Sequence, residues 1–188
     1  MAERGSLAVP ENGTAGLRRW WAPADAFTAV RIPLAIAFVL VPESDWRIAI
    51  LAAAAASDFA DGVVARRLGG SRLGAFLDPV ADKFFMAGAF AVVLAARALS
   101  PLEILGVLAR DIVAAIAFVV TLLRRRPASI PARLGGKAVT IGQLLTLLAF
   151  LLGSLLLQPL AWATAAVALY AIWDYSRAAA REKRVLGE

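Results

Sequence analysis

Four aspartates lie within or beside some of the most apolar sequence of this 188-residue chain: Asp58, Asp61, Asp78 and Asp82. An aspartate deep in an apolar helix costs about 2.5–3.5 kcal/mol on membrane-insertion scales, and clustered carboxylates also repel one another. The cost falls if some of them are protonated or if the cluster binds cations. Carboxylate oxygens favour hard ions such as Mg²⁺ or Mn²⁺. Several carboxylates can hold two such ions, an arrangement suited to displacement at phosphorus.

The spacing of the aspartates places them on two helix faces. Asp58 and Asp61 are three residues apart and share one face of a predicted helix. Asp78 and Asp82 are four residues apart and share a face of the next predicted helix. Because only a short segment rich in glycine and arginine joins the two helices, the four carboxylates can converge at one depth.

Small and cationic residues beside the aspartates suit a bulky anionic ligand. Gly62 and Ala65 leave space on the face of the first pair, and Arg66 can offer a planar fork to phosphate. Three glycines permit a tight loop whose N–H groups face anionic oxygens. They are Gly69, Gly70 and Gly74. Each feature also has a plainer interpretation, namely helix packing, membrane topology or ordinary turns.

The composition excludes several kinds of site. The chain has no histidine and no cysteine, which rules out a Ser-His-Asp triad, His-ligated zinc, thiolate metal sites and disulfides. Hydrophobic residues make up 61% of the chain, and the mean hydropathy is +0.73. Several apolar runs reach the roughly 18 residues that mark spanning helices. We therefore predict an all-α integral membrane protein, with a soluble helical bundle as the alternative.

The apolar runs predict a bundle of six transmembrane helices. Their predicted bounds are about 24–41, 46–66, 76–97, 102–123, 137–157 and 160–179. A short turn at Gln158 and Pro159 is expected to separate the last two helices. All backbone groups within a bilayer need internal partners, which favours a helical bundle over other folds.

The two ends of the chain are predicted to be tails around a domain at 22–180. Residues 1–19 read as a flexible cytosolic tail, and residues 181–188 read as a second one. The stretch 17–21, LRRWW, combines cations with two indoles. It is expected to lie at the bilayer interface or to act as a simple aromatic anchor.

The distribution of charge predicts the orientation. The net charge is +6, with 20 Lys and Arg residues, most of them in the tails and in the loops after helices two and four. The opposite loops offer little beyond Arg47 and Arg97. By the positive-inside rule, both termini and the aspartates are expected at the cytosolic face of the membrane. A bacterial-type inner membrane is the predicted location. The charge is therefore assigned to topology and not to nucleic-acid binding.

The aspartates form part of a longer ordered string that resembles a family signature. The string is Asp58-x2-Asp61-Gly62-x2-Ala65-Arg66-x7-Gly74-x3-Asp78-x3-Asp82. It is similar to the pattern of the CDP-alcohol phosphatidyltransferases, with every fixed position present. The six-helix layout extends the resemblance over most of the chain apart from the N-terminal tail. The resemblance implies a homodimeric membrane enzyme that uses a CDP-linked lipid, commonly CDP-diacylglycerol, and a hydroxyl acceptor.

The resemblance also implies roles for individual residues. The implied ligands of Mg²⁺ or Mn²⁺, two ions in all, are Asp58, Asp61, Asp78 and Asp82. Asp82 would in addition be the base that activates the acceptor hydroxyl. The residues implied to line the site for the CDP moiety are Gly62, Ala65, Arg66 and Gly74. The acceptor oxygen would attack the phosphorus that carries diacylglycerol, and CMP would leave.

A stripe on the first helix is expected to lie near this site. Asp25, Thr28 and Arg31 follow one another at spacings of three. The region resembles an Asn-x3-Thr-x2-Arg pattern that lines the nucleotide pocket in the family, with Asp25 about where the asparagine stands. We assign Thr28 and Arg31 to donor binding. For Arg31, a structural ion pair with one of the aspartates is the alternative.

Two further cations are candidates for the acceptor side. Arg110 lies in the fourth helix, next to Asp111. Because adjacent residues point to different faces, we expect these two not to pair within the helix. Lys137 lies at the cytosolic edge of the fifth helix, where snorkelling to the interface is the alternative.

Residues of helices four, five and six bear on the identity of the acceptor. The Arg-Asp pair of helix four, the LGGK that opens helix five and a late Asp-Tyr resemble the phosphatidylglycerophosphate and cardiolipin synthase branches. Arg-Asp favours phosphatidylglycerol, with glycerol 3-phosphate and then inositol phosphate as alternatives. From another class, an ion or proton-coupled transporter would scatter its acids along a path through several helices. In this chain, the four aspartates cluster on two adjacent predicted helices.

Overall fold

The computed structural model describes residues 23–68, 72–124 and 134–186. The regular elements in these residues are all α-helices, which confirms the predicted all-α class. The six helices are α1 (Pro23–Leu40), α2 (Ser44–Leu68), α3 (Arg72–Ala95), α4 (Pro101–Arg124), α5 (Leu134–Leu151) and α6 (Leu157–Leu186). The predicted N-terminal tail and the interfacial stretch at 17–21 lie outside the described residues.

The turn between α5 and α6 differs from the prediction. α5 ends at Leu151, and Gly153 follows in the left-handed region with φ of 59°. The hydrogen bonds around this glycine have the pattern of a Schellman cap, which closes a helix and redirects the chain. The predicted turn at Gln158 and Pro159 is wrong, because both residues lie in the first turn of α6. A proline is tolerated there, since its missing N–H would have no helical acceptor.

Two other boundaries also move. α3 begins at Arg72, so Gly74 is a buried residue inside the helix and the predicted loop role of this glycine is wrong. Gly69 and Gly70 lie outside the described residues. α6 continues to Leu186, so most of the predicted tail at 181–188 is helical.

The start of α4 is fixed by a capping box. The backbone N–H of Ser100 donates to Oε2 of Glu103 at 2.8 Å, and the N–H of Glu103 donates to Oγ of Ser100 at 3.3 Å. Each side chain thus satisfies a backbone donor that the first helical turn leaves without a partner. This cap defines where the chain turns between α3 and α4.

The helices pack as two groups of three. α1 packs mainly against α2 and α3, while α6 packs mainly against α4 and α5. Direct packing of α3 on α4, and of α5 on α2, α3 and α4, is much sparser. Phe38, Phe90, Val107 and Leu147 are among the fully buried side chains that join the groups in one apolar core. Polar contacts therefore have a larger share in fixing α3, α4 and α5 relative to one another.

A helix crosses a bilayer when it is both long and apolar enough. Within the described residues, no helix combines the length and the hydropathy that a membrane crossing requires. The spanning topology and its sidedness stay predictions.

Close packing of α4 on α6 leads to a prediction for two glycines. A Cβ added to Gly106 would lie 2.9 Å from Cβ of Ala165, whereas one added to Gly88 would lie 3.4 Å from Cγ2 of Val39. Gly106→Ala should therefore force α4 away from α6 and lower the free energy of unfolding by about 1–3 kcal/mol. Gly88→Ala should be neutral or stabilising by up to about 1 kcal/mol, because alanine favours helix. Thermal unfolding of the two matched variants decides this, and equal stability would contradict the close approach.

Candidate active site

Arg31 on α1 forms an ion pair with Asp58 on α2. Nη2 of Arg31 lies 3.0 Å from Oδ1 of Asp58, and the two side chains are 4% and 63% exposed. A buried guanidinium therefore lies beneath an accessible carboxylate. Of the two interpretations of Arg31, the structure contains the ion pair with an aspartate, and the contact with a donor phosphate stays a prediction.

Thr28 holds a second aspartate from the same face of α1. Its hydroxyl donates a hydrogen bond to Oδ1 of Asp78 on α3, and Thr28 itself is buried. Because Thr28 and Arg31 are three residues apart, one stripe of α1 contacts one aspartate from α2 and one from α3. The side chain of Asp25, the third member of the predicted stripe, lies outside the described part of α1.

Asp82 lies at a cleft between α1, α2, α3 and α5. The side chain is half-buried, and Arg31 and Asp58 line the same cleft. The apolar side chains that line the cleft are Leu51, Ala54, Ala55, Phe85, Met86 and Leu144. A lining that combines two carboxylates with apolar side chains suits a ligand with one charged and one apolar part.

A second polar group surrounds Asp111 on α4. Nζ of Lys83 and Nη1 of Arg110 both donate to Oδ1 of Asp111, at 3.0 and 3.1 Å. Nε2 of Gln143 donates to Oδ2 at 2.6 Å and to the carbonyl oxygen of Val107 at 3.0 Å. The expectation that Arg110 and Asp111 do not pair is wrong. The long arginine side chain bends back along α4 to the carboxylate, although the two Cβ atoms point to different faces.

Gly62 and Lys137, two further site residues predicted from the sequence, differ in their exposure. Gly62 is half-buried in α2, and Lys137 is exposed near the start of α5. Gly136, its neighbour, is buried, and Arg110 lies directly over it. The structure thus brings Arg110 and the start of α5 together, and it leaves Lys137 at the surface.

Most of the chain matches a single protein family. A sequence model of the CDP-alcohol phosphatidyltransferase family matches residues 21–173, from the start of α1 into α6. The chain belongs to this family. The resemblance seen in the aspartate spacing is thereby confirmed. The matched range contains both the cleft at Asp82 and the group around Asp111, so both are features of the CDP-alcohol phosphatidyltransferase domain.

Two curated relatives come from Mycobacterium bovis and Mycobacterium tuberculosis. Each bears the name "Putative cardiolipin synthase" and is 38% identical to the chain over 133 residues. The aligned part covers 67% of this chain and 62% of the relative. The chain thus spans less than two thirds of the length of the curated relatives it matches.

Members of the CDP-alcohol phosphatidyltransferase family generally depend on a divalent metal ion. In the described parts of the chain, no three acidic side chains are grouped closely enough to hold one. The donor chemistry nevertheless fits, because the candidates offer only carboxylate oxygens, which suit Mg²⁺ and Mn²⁺. The side chains of Asp61, Ala65 and Arg66 lie outside the described part of α2. The complete cluster of four carboxylates stays a prediction.

Two polar residues near the site were not predicted from the sequence. Gln143 is 1% exposed in the middle of α5, and Lys83 directly follows Asp82 in α3. The sequence contained an indication of both, because an amide or a cation within an apolar helix requires a polar partner. The partner itself, Asp111, becomes evident only from the packing of α3, α4 and α5.

Proposed function

We propose that the protein transfers a phosphatidyl group from CDP-diacylglycerol to a hydroxyl acceptor and releases CMP, in phospholipid biosynthesis. The observation that carries this proposal is the placement of the signature aspartates. Asp58 and Asp82 line one cleft, and α1 holds Asp58 and Asp78 through Arg31 and Thr28. Membership of the CDP-alcohol phosphatidyltransferase family supports this reaction class.

In the proposed reaction, Asp82 accepts the proton of the acceptor hydroxyl. The acceptor oxygen forms a new bond to the phosphorus that carries diacylglycerol, the bond from that phosphorus to the bridging oxygen breaks, and CMP leaves with both electrons. Asp58, Asp61, Asp78 and Asp82 would hold Mg²⁺ or Mn²⁺, which stabilises negative charge on the pyrophosphate. Gly62, Ala65, Arg66 and Gly74 would border the CDP moiety, together with Thr28 and Arg31.

Phosphatidylglycerol is the proposed acceptor, which would make the reaction a cardiolipin synthesis. The name of the two mycobacterial relatives and the Arg-Asp pair on α4 support this choice. Glycerol 3-phosphate is the alternative, because the same residues resemble the phosphatidylglycerophosphate synthase branch. Arg110 and Lys137 are assigned to the acceptor side, since both acceptors carry a phosphate group.

We propose that the protein lies in a membrane with the cleft at its cytosolic face, and that it forms a homodimer. Large apolar side chains are exposed along α1, α4 and α6, among them Ile36, Ile116, Leu123 and Leu169. Such surfaces are unfavourable in water and suit lipid or a second copy of the chain. The location also fits a donor whose acyl chains stay in the bilayer while its nucleotide is in water.

The reaction is tested directly with purified protein in detergent or vesicles. The protein is incubated with CDP-diacylglycerol and Mg²⁺ or Mn²⁺, and phosphatidylglycerol, glycerol 3-phosphate, inositol phosphate and serine are offered separately. CMP release is measured and the lipid product is identified by mass. We expect CMP and cardiolipin with phosphatidylglycerol. CMP with glycerol 3-phosphate alone would support the alternative, and no CMP with any acceptor would contradict the transferase proposal.

A further inference from the structure

Asp111 is the point where polar side chains of three helices meet. Its Oδ1 accepts from Lys83 of α3 and from Arg110 of α4, and its Oδ2 accepts from Gln143 of α5 at 2.6 Å. The Asp111 side chain is only 10% exposed. A buried carboxylate is tolerated when it is paired and fully hydrogen-bonded, as it is here. Because direct packing among α3, α4 and α5 is sparse, this group has a large share in setting their relative position.

Gln143 fixes which way the Asp111 carboxylate faces. Its Nε2 bridges Oδ2 of Asp111 and the carbonyl oxygen of Val107, one helical turn earlier on α4. With Oδ2 held in this way, Oδ1 is left to face Lys83 and Arg110. Gln143 is 1% exposed, so water does not compete for these bonds.

The guanidinium of Arg110 lies between Asp111 and the start of α5. Nη1 binds Asp111, while Nη2 lies so close to Gly136 that a Cβ there would approach it to 2.6 Å. The same Cβ would lie 3.5 Å from the hydroxyl of Tyr175 on α6. Nε of Arg110 is buried and has no hydrogen-bond partner among the described residues. A Cβ at position 136 would therefore displace the end of the Arg110 side chain, so this placement of the guanidinium depends on the glycine.

We propose that Asp111 and Gln143 are positioning residues that hold Arg110 over Gly136 in the orientation needed to bind the phosphate of the acceptor. The inference rests on the proposed transferase function, in which Arg110 serves the acceptor side. A guanidinium binds phosphate best through a planar fork, and pre-orientation of that fork lowers the ordering cost of binding. Asp111 and Gln143 act through Arg110 and do not touch the reacting atoms.

Three variants disturb Arg110 in different ways. Asp111→Asn removes the charge that holds it, Gln143→Leu frees the carboxylate to turn, and Gly136→Ala displaces Nη2 directly. Each should raise KM for the acceptor at least about tenfold, the lower end of what a lost hydrogen bond to a charged group costs. KM for CDP-diacylglycerol and kcat at saturating acceptor should change less than threefold.

Thr146→Val is the matched control for the three variants. Thr146 is as buried as Gln143 and lies three residues further along α5, but its hydroxyl bonds to Gly142 and Thr164. It should leave the acceptor KM unchanged. An equal rise in KM for Thr146→Val, or an unchanged KM in all three network variants, would overturn the proposal.

A readout that needs no turnover separates this inference from the proposed function. In ¹⁵N spectra of the detergent-solubilised protein, the Nε–H signal of Arg110, assigned with Arg110→Lys, should exchange slowly with water. It should exchange fast in Gln143→Leu and Gly136→Ala, and stay slow in Thr146→Val. Fast exchange in the wild type would overturn the positioning role. If the wild type shows slow exchange but releases no CMP, the positioning of Arg110 is supported. That result would contradict only the transferase function and the acceptor role of Arg110.

Discussion

Replacing Asp82 with asparagine is expected to abolish CMP release while the donor still binds. Asparagine keeps an oxygen at nearly the same place, so it can remain a metal ligand, but it cannot accept a proton from the acceptor hydroxyl. Loss of a general base slows a reaction by roughly 10²–10⁴-fold. Asp82 is the half-buried carboxylate at the cleft that it shares with Asp58 and Arg31, which in the proposed reaction would place it beside the donor.

Two measurements together test the role of Asp82. CMP release gives the turnover, and equilibrium binding of CDP-diacylglycerol in the presence of Mg²⁺ gives the affinity for the donor. Asp45→Asn is the control, because Asp45 is an exposed aspartate in the first turn of α2, at the other end from Asp58. Turnover close to that of the wild type would remove Asp82 from the role of base. Loss of donor binding together with turnover would assign Asp82 to metal binding alone.

The helix faces that carry Asp58, Asp78 and Asp82 could be predicted from the sequence because they depend on helical periodicity, whereas the convergence of all four carboxylates stays a prediction. A spacing of three or four residues decides which side chains share a face, whatever the rest of the fold does. The same rule predicted the Thr28 and Arg31 stripe, and the structure brings both residues to aspartates of neighbouring helices. The choice of partner, Asp78 for one and Asp58 for the other, depends on how α1 lies between α2 and α3.

The same rule failed at Arg110 and Asp111. It describes where Cβ atoms point, and a long, flexible arginine can reach a carboxylate on the next residue when a third group holds that carboxylate in place. Gln143 supplies that support from α5, 32 residues away in sequence. The prediction of the turn after α5 also failed. The cap at Gly153 ends the helix before Pro159, the residue on which the predicted turn was based.

Through Arg31, α1 brings a positive charge to the candidate active site. In the structure, its guanidinium neutralises Asp58, a carboxylate assigned here to the metal. In the proposed site, a metal ion and this cation would therefore compete for the oxygen atoms of Asp58. The ion pair compensates the charge of the buried Arg31 side chain, and in the proposed metal site it would oppose the binding of a divalent ion.

Replacing Arg31 with glutamine is therefore expected to have two effects of opposite sign. Without divalent metal, the variant loses the ion pair and the packing of a buried side chain, so its free energy of unfolding should fall by about 1–3 kcal/mol. Its affinity for Mn²⁺ should rise. A single and a double positive charge about 5 Å apart repel by roughly 3 kcal/mol at an effective dielectric constant of about 40. We expect the Kd for Mn²⁺ to fall at least about tenfold.

Arg47→Gln is the matched control for this prediction. Arg47 lies in the first turn of α2, where its Nε donates to the carbonyl oxygen of Phe38 on α1 at 3.0 Å, and it is not among the residues that line the cleft. It should lower stability without changing the Kd for Mn²⁺, which electron paramagnetic resonance of the free ion measures without any need for turnover. The repulsion between the two positive charges persists without Asp58, whereas the competition for its oxygen atoms does not, so Asp58→Asn should reduce the difference in Mn²⁺ affinity between arginine and glutamine at position 31. Weaker Mn²⁺ binding by Arg31→Gln than by the wild type would contradict the competition and would mean that Arg31 holds Asp58 in place for the ion.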